Sequence, residues 1–156
     1  MNAQQKFIST SNRSVNPDTQ YCYHAIEDKS ANVHGVHAHY ASVNDQSNVG
    51  YLVLLVVSPD ELEQLRSNGT LDQKVDSWMS KFAQNLREDK LSTTRTIWQI
   101  GEISCTNNFA VSKEFAPKTS RNLMRGSVVI FGYVNKLGTA PSNAEQRLVL
   151  QGFSSG

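Results

Sequence analysis

All four histidines of the chain lie between positions 24 and 39: His24, His34, His37 and His39, with Cys22 beside the first. His37 and His39 are two residues apart, a spacing that on a β-strand sends both imidazoles out of one face. His34 precedes His37 by three positions across Gly35 and could complete a set of three by bending back. Imidazole nitrogens suit zinc and related metals, so His34, His37 and His39 form a candidate metal site. Such a site normally draws three or four protein ligands, with hydrogen-bond acceptors behind each imidazole. The carboxylates nearest in sequence are Glu27, Asp28 and Asp45, and none stands at a spacing that selects it as a ligand. The simpler reading, adopted as the expectation, places these histidines on the wet face of an alternating strand, with no metal and no cofactor. A pH-sensitive imidazole cluster is a third alternative.

The stretch Gly35-Val36-His37-Ala38-His39 resembles in part the G-x5-H-x-H opening of the cupins. Its glycine is only two residues ahead of the first histidine, and Val43 and Asn44 stand where that family carries a glutamate. Nucleophile signatures are missing: there is no G-x-S-x-G, no C-x-x-C and no H-E-x-x-H. Cys22 two residues from His24 is a weak thiolate pair. Gly126, Gly132 and Gly138 are too widely spaced for a phosphate loop. One segment is locally basic, with Lys113, Lys118, Arg121 and Arg125 against Glu114. A short helix over residues 120–125, capped by Gly126, would put Arg121 and Arg125 on one face at i, i+4. Two guanidinium groups so placed can grip a phosphate, which makes nucleic acid a candidate partner. The aromatic interleaving of a single-strand binding platform is absent.

These residues need elements to hold them, and the polar arrangement of the chain indicates which. Tyr21–Ile26 and Val33–Val43 alternate as strands do, the second with His37, His39 and Ala41 on one side and Val36, Ala38 and Tyr40 on the other. The run 51–57 is continuously apolar and β-branched, the pattern of a central strand covered on both faces. Ser58-Pro59-Asp60-Glu61 joins a cap, a preset φ and a capping box, and Thr70-x-x-Gln73 opens a second helix in the same way. Leu71, Val75, Trp78, Met79, Phe82 and Leu86 then form one apolar stripe expected to face a sheet. Residues 93–105, 109–115, 127–134 and 147–153 are rich in Thr, Val, Ile and aromatics and are broken by Gly, Pro and Asn. The fold class expected is α+β: mostly antiparallel sheet, sandwich-like, with one central amphipathic helical segment at about 59–90. Residues 1–20 are set apart as a polar arm, with a single domain over 21–156.

A length of 156 residues suits that single domain. Net charge is +1, with 15 Lys and Arg against 14 Asp and Glu, which excludes a binder that works through bulk positive charge. Ser, Asn, Gln and Thr together supply 50 of the 156 residues. Such a surface is wet but repels its own copies weakly, so self-association is permitted. The longest apolar run is seven residues, too short for a membrane helix, and the first 20 residues carry no secretory pattern. Two cysteines 83 positions apart are expected as free thiols, and synthesis is expected in the cytoplasm. The function expected is a non-enzymatic, homo-oligomeric structural or coat-type subunit, in a virion if that assembly holds, with no membrane partner. The first alternative is a metal-binding module or metal-dependent enzyme using the His24–His39 window. A cytosolic α+β binding or regulatory domain is the second.

Overall fold

A computed structural model describes residues 4–10, 12–16, 18–27, 30–43, 47–63, 69–91, 95–106, 108–138 and 145–156. In chain order the elements are β1 (Gln4–Ser9), β2 (Arg13–Val15), β3 (Thr19–Ala25), β4 (Ser30–Val43), β5 (Asn48–Val57), α1 (Pro59–Glu63), α2 (Leu71–Arg87), β6 (Ile97–Cys105), β7 (Ala110–Phe115), β8 (Arg121–Met124), β9 (Val128–Asn135) and β10 (Glu145–Ser155). They form two five-stranded sheets. The first runs β1-β10-β4-β7, with β8 also paired to β4; the second runs β2-β3-β9-β5-β6. Every pairing is antiparallel.

The apolar pattern of β5 and β9 explains the layering. Leu52 and Leu54 of β5, with Val129, Phe131 and Tyr133 of β9, share a core with Val33, Val36, Ala38, Tyr40, Leu148 and Leu150 of the first sheet. The intervening residues Val53, Leu55, Val57, Val128 and Ile130 turn the other way, onto Val75, Met79 and Phe82 of α2. Burial of each such side chain contributes about 1.5–3 kcal/mol, enough to fix both faces of these two strands. The second sheet is therefore covered on both sides, by the first sheet and by α2. The first sheet has no helix on its outer face among the described residues.

The helical segment divides into α1 and α2. Ser58 caps α1, its Oγ accepting from Glu61 N at 3.2 Å. Thr70 and Gln73 close a full capping box at the start of α2. The stripe of α2 lies slightly off the expected line. Val75, Met79, Phe82 and Ala83 are buried, whereas Trp78 is half-buried and stacks on Phe82 with centroids 5.2 Å apart, and Leu71 is exposed. Among the described residues, no helix is long and apolar enough to cross a membrane.

The polar N-terminal segment is woven into both sheets. β1 pairs with β10 over six residues, β2 pairs with β3, and Phe7 is buried at 7% exposure. Its apolar content is low, as the sequence indicates; backbone pairing and one aromatic side chain hold it instead. The basic segment also differs from expectation. Arg121–Met124 is strand β8 on β4, not a helix ending at Gly126. Arg121 is on this strand and Arg125 is in the turn that follows it, so the two do not form the helical i, i+4 pair.

Candidate functional site

A single bulge arranges the histidines. In the pairing of β10 with β4, Gln151 faces His37 and Phe153 faces His34, so Gly35 and Val36 together oppose Gly152. Gly35 adopts φ +59°, the left-handed conformation that glycine takes without steric cost at such bulges. The extra residue reverses the phase of β4. Ala31 and Val33 are buried before it; Val36, Ala38 and Tyr40 are buried after it. His34, His37 and His39 consequently all leave the outer face of the first sheet.

On that face Glu114 of β7 stands directly opposite His39. Its Oε2 lies 3.2 Å from His37 Nε2 and its Oε1 lies 3.9 Å from His39 Nε2. His34 stacks on Phe153 instead, with centroids 5.9 Å apart. Among the described residues, no three His, Cys, Asp or Glu side chains are grouped to hold a metal ion. His24 belongs to the other sheet. Its ring stacks on Phe7 at 4.0 Å, and burial lowers its pKa below 6.5 against the opposing pull of Glu27. Asp28 and Asp45 lie outside the described residues. Cys22 and Cys105 are free and buried. Burial pushes the Cys22 thiol up to about 12, against weaker hydrogen bonding with Ser9 and Leu150, so it is not a thiolate nucleophile near neutral pH.

The basic residues are spread over three settings. Lys113 Nζ donates to the Glu102 carbonyl at 3.0 Å on the neighbouring edge of β6. Arg121 lies over the Trp98 ring at 5.4 Å and donates to the Arg95 carbonyl at 3.4 Å. Lys118, at a bend, and Arg125, in a turn, are both exposed.

Two groupings had no signal in the sequence. In the first, the Arg13 guanidinium forks onto Asp76 of α2 with bonds of 3.2 and 2.8 Å, and Tyr21 donates to the same carboxylate. Burial pushes the Asp76 carboxyl up, but the hydrogen bonds from Arg13 and Tyr21 outweigh it and hold the pKa below 3.8. Tyr23 donates to Asp72 nearby; burial first, then that bond, push its phenol up to about 12. This cluster fastens α2 to β2 and β3. Its partners are 63 and 49 residues apart, so only the fold unites them.

The second grouping is apolar and lies at one end of the sandwich. Eight large apolar side chains stand exposed among the described residues, and Val43, Val49, Phe109 and Leu137 are four of them. Val43 ends β4 opposite Ala110, the neighbour of Phe109 in the chain. Val49 is the second residue of β5, and its carbonyl accepts from Lys136 N at 3.0 Å, which brings Leu137 alongside. A cleft of about 470 Å³ opens there between Val49, Ser104, Cys105, Thr106, Lys136 and Leu137. Leu137 is 82% exposed and Phe109 68%.

No family model and no curated protein matches the chain. Among solved structures it is similar to one described as "CBM4 structure and function", at 8% identity and a TM-score of 0.29 over 97% of this chain and 86% of that one. It is also similar to an arabinose-bound α-L-arabinofuranosidase, at 9% identity and a TM-score of 0.33; the match covers 98% of this chain but 23% of that one. Likeness at these TM-scores carries no functional argument.

Proposed function

We propose that the chain is a non-enzymatic, self-assembling structural subunit whose copies associate through the apolar end of the sandwich. The setting we propose is cytoplasmic synthesis followed by incorporation into a shell or virion-like assembly. The exposed Val43, Val49, Phe109 and Leu137 at one end of the sandwich, with Val49 and Leu137 lining a cleft, carry this reading. Scattered apolar residues are ordinary on a protein surface, but a gathering at one end signals a partner. A net charge of +1 leaves copies little mutual repulsion to overcome. Lys118 and Arg125 are the exposed members of the basic set and would supply any phosphate contact with a packaged nucleic acid. The test is Phe109→Ser with Leu137→Ser, followed by sedimentation velocity over a concentration series. The dissociation constant should rise by about tenfold or more, since each side chain contributes about 1.5–3 kcal/mol when buried. An unchanged constant would remove the apolar end from the account.

A second reading, a metal-binding module, is favoured by the Glu114 carboxylate between His37 and His39. It requires His34 to leave Phe153 or a further ligand to enter. Metal content of the purified chain, compared with His37→Ala and His39→Ala, decides it: near-equimolar zinc lost in the variants would place this reading first.

A further inference from the structure

We infer that β1 is a second self-association surface, on which two copies pair antiparallel about a two-fold axis centred on Phe7. This deepens the self-assembly proposal and rests on it. Among the described residues β1 is the terminal strand of its sheet, paired with β10 on one side only. Edge strands in natural proteins are guarded by charge, proline, bulges or covering segments. The β6 edge of the other sheet has such guards: Lys113 reaches its Glu102 carbonyl, and Trp98 Nε1 donates to Thr119 at 3.1 Å. β1 reads Gln-Gln-Lys-Phe-Ile-Ser, holds its register with β10 without a bulge, and carries Lys6 as its single charge. Beside it Ile8 is 61% exposed.

The occupant is a second copy because the strand is self-complementary in one register. Opposed residues of an antiparallel pair share a face, so an outward residue must meet an outward one. Phe7 points inward, whereas Lys6 and Ile8 point outward. Of the registers that keep that parity, the one that sets Ile8 against Ile8 pairs only residues 7 to 9 of β1, and the two nearer the centre of the strand pair five residues each. One sets Lys6 against Lys6 of the second copy, which like-charge repulsion disfavours. The other sets Phe7 against Phe7 and lays each Lys6 stem along the Ile8 of the other copy, covering the exposed apolar side chain while the ammonium stays in water. That register pairs residues 5 to 9 of β1. A cleft of about 330 Å³ adjoins the same edge, lined by Phe7, Tyr23, His24 and Ile26 among others. The product is one continuous ten-stranded sheet with a closed, isologous interface.

The test uses the register. Ile8→Lys places like charges opposite each other twice, and Ile8→Glu places opposite charges there twice. Measured by sedimentation on the full chain, Ile8→Lys should associate about tenfold or more weakly than Ile8→Glu, with the gap narrowing in high salt. Both positions are exposed, so folding is spared, and circular dichroism verifies it. A second assay reads the register directly. Lys6→Cys chains mixed with Ile8→Cys chains and treated with a thiol oxidant should form an intersubunit disulfide, since antiparallel partners lie within disulfide range. Each variant alone should form far less. Equal association of the two Ile8 variants, with no excess cross-linking in the mixture, overturns the β1 pairing while leaving the apolar end intact. If the wild-type chain stays monomeric at every concentration, the self-assembly proposal and this pairing fall together.

Discussion

A left-handed residue at position 35 lets β4 change phase without leaving its sheet, and the three outward histidines depend on it. Any L side chain at Gly35 would need the strained φ of +59° and would meet the Phe153 ring at 3.0 Å. Gly35→Ala should therefore destabilise the fold by about 1–2 kcal/mol, read as a lower denaturation midpoint with an unchanged slope. The ionisable residues give two pH predictions of the same sign. The Asp76 carboxyl is depressed in the folded state, so its contribution is present above the unfolded value of 3.8 and is lost as pH falls through the folded value. Asp76→Asn should cost about 1–2 kcal/mol at neutral pH, and the difference from wild type should shrink in acid. His24 is likewise depressed, by burial. Its contribution is complete above 6.5 and declines as pH falls below that, because the unfolded chain takes the proton first. His24→Phe keeps the stack on Phe7 and should flatten the fall in melting temperature between about pH 7 and 5. A slope equal to wild type would show that His24 does not carry it.

The elements separate by how locally their causes are encoded. The Ser58 cap, the Thr70–Gln73 capping box, the apolar run of β5 and, in the main, the stripe of α2 are set by residues within a few positions of each other and are readable in the sequence. β1 and β8 are not, because pairing with distant strands forms them. Gln4–Ser9 carries little apolar surface, and Arg121–Met124 has the charge spacing of a helical turn. The outward face of β4 was legible for His37 and His39 but not for His34, whose parity changes only once Gly35 bulges against Gly152. Glu114, whose carboxylate reaches His37 and His39, lies 77 residues from His37 and in the sequence is only a counter-charge within a basic segment. Within α2, the border position of Trp78 changes what truncation should cost. Phe82→Ala should lose about 3–5 kcal/mol through transfer and cavity terms, and half-buried Trp78→Ala clearly less. Equal losses in chemical denaturation would mean that the helix sits rotated from the position described.

At the scale of the whole molecule, two features point outward. One sheet is covered by α2 on its far side while the other carries no helix there among the described residues, and four of the eight exposed large apolar side chains lie at one end. Neither feature supplies a nucleophile, a grouped metal set or a phosphate cradle among the described residues. Under the self-assembly proposal, the apolar end and the β1 edge supply the surface for another copy. The neutral polar composition fits this arrangement, since it keeps the isolated chain wetted while adding little repulsion between copies. The most direct measurement is the mass of the wild-type chain by static light scattering across a wide concentration range. The account predicts a mass that rises with concentration above the 17.3 kDa of one chain, toward a dimer and then higher multiples. A mass fixed at the monomer value throughout would contradict it.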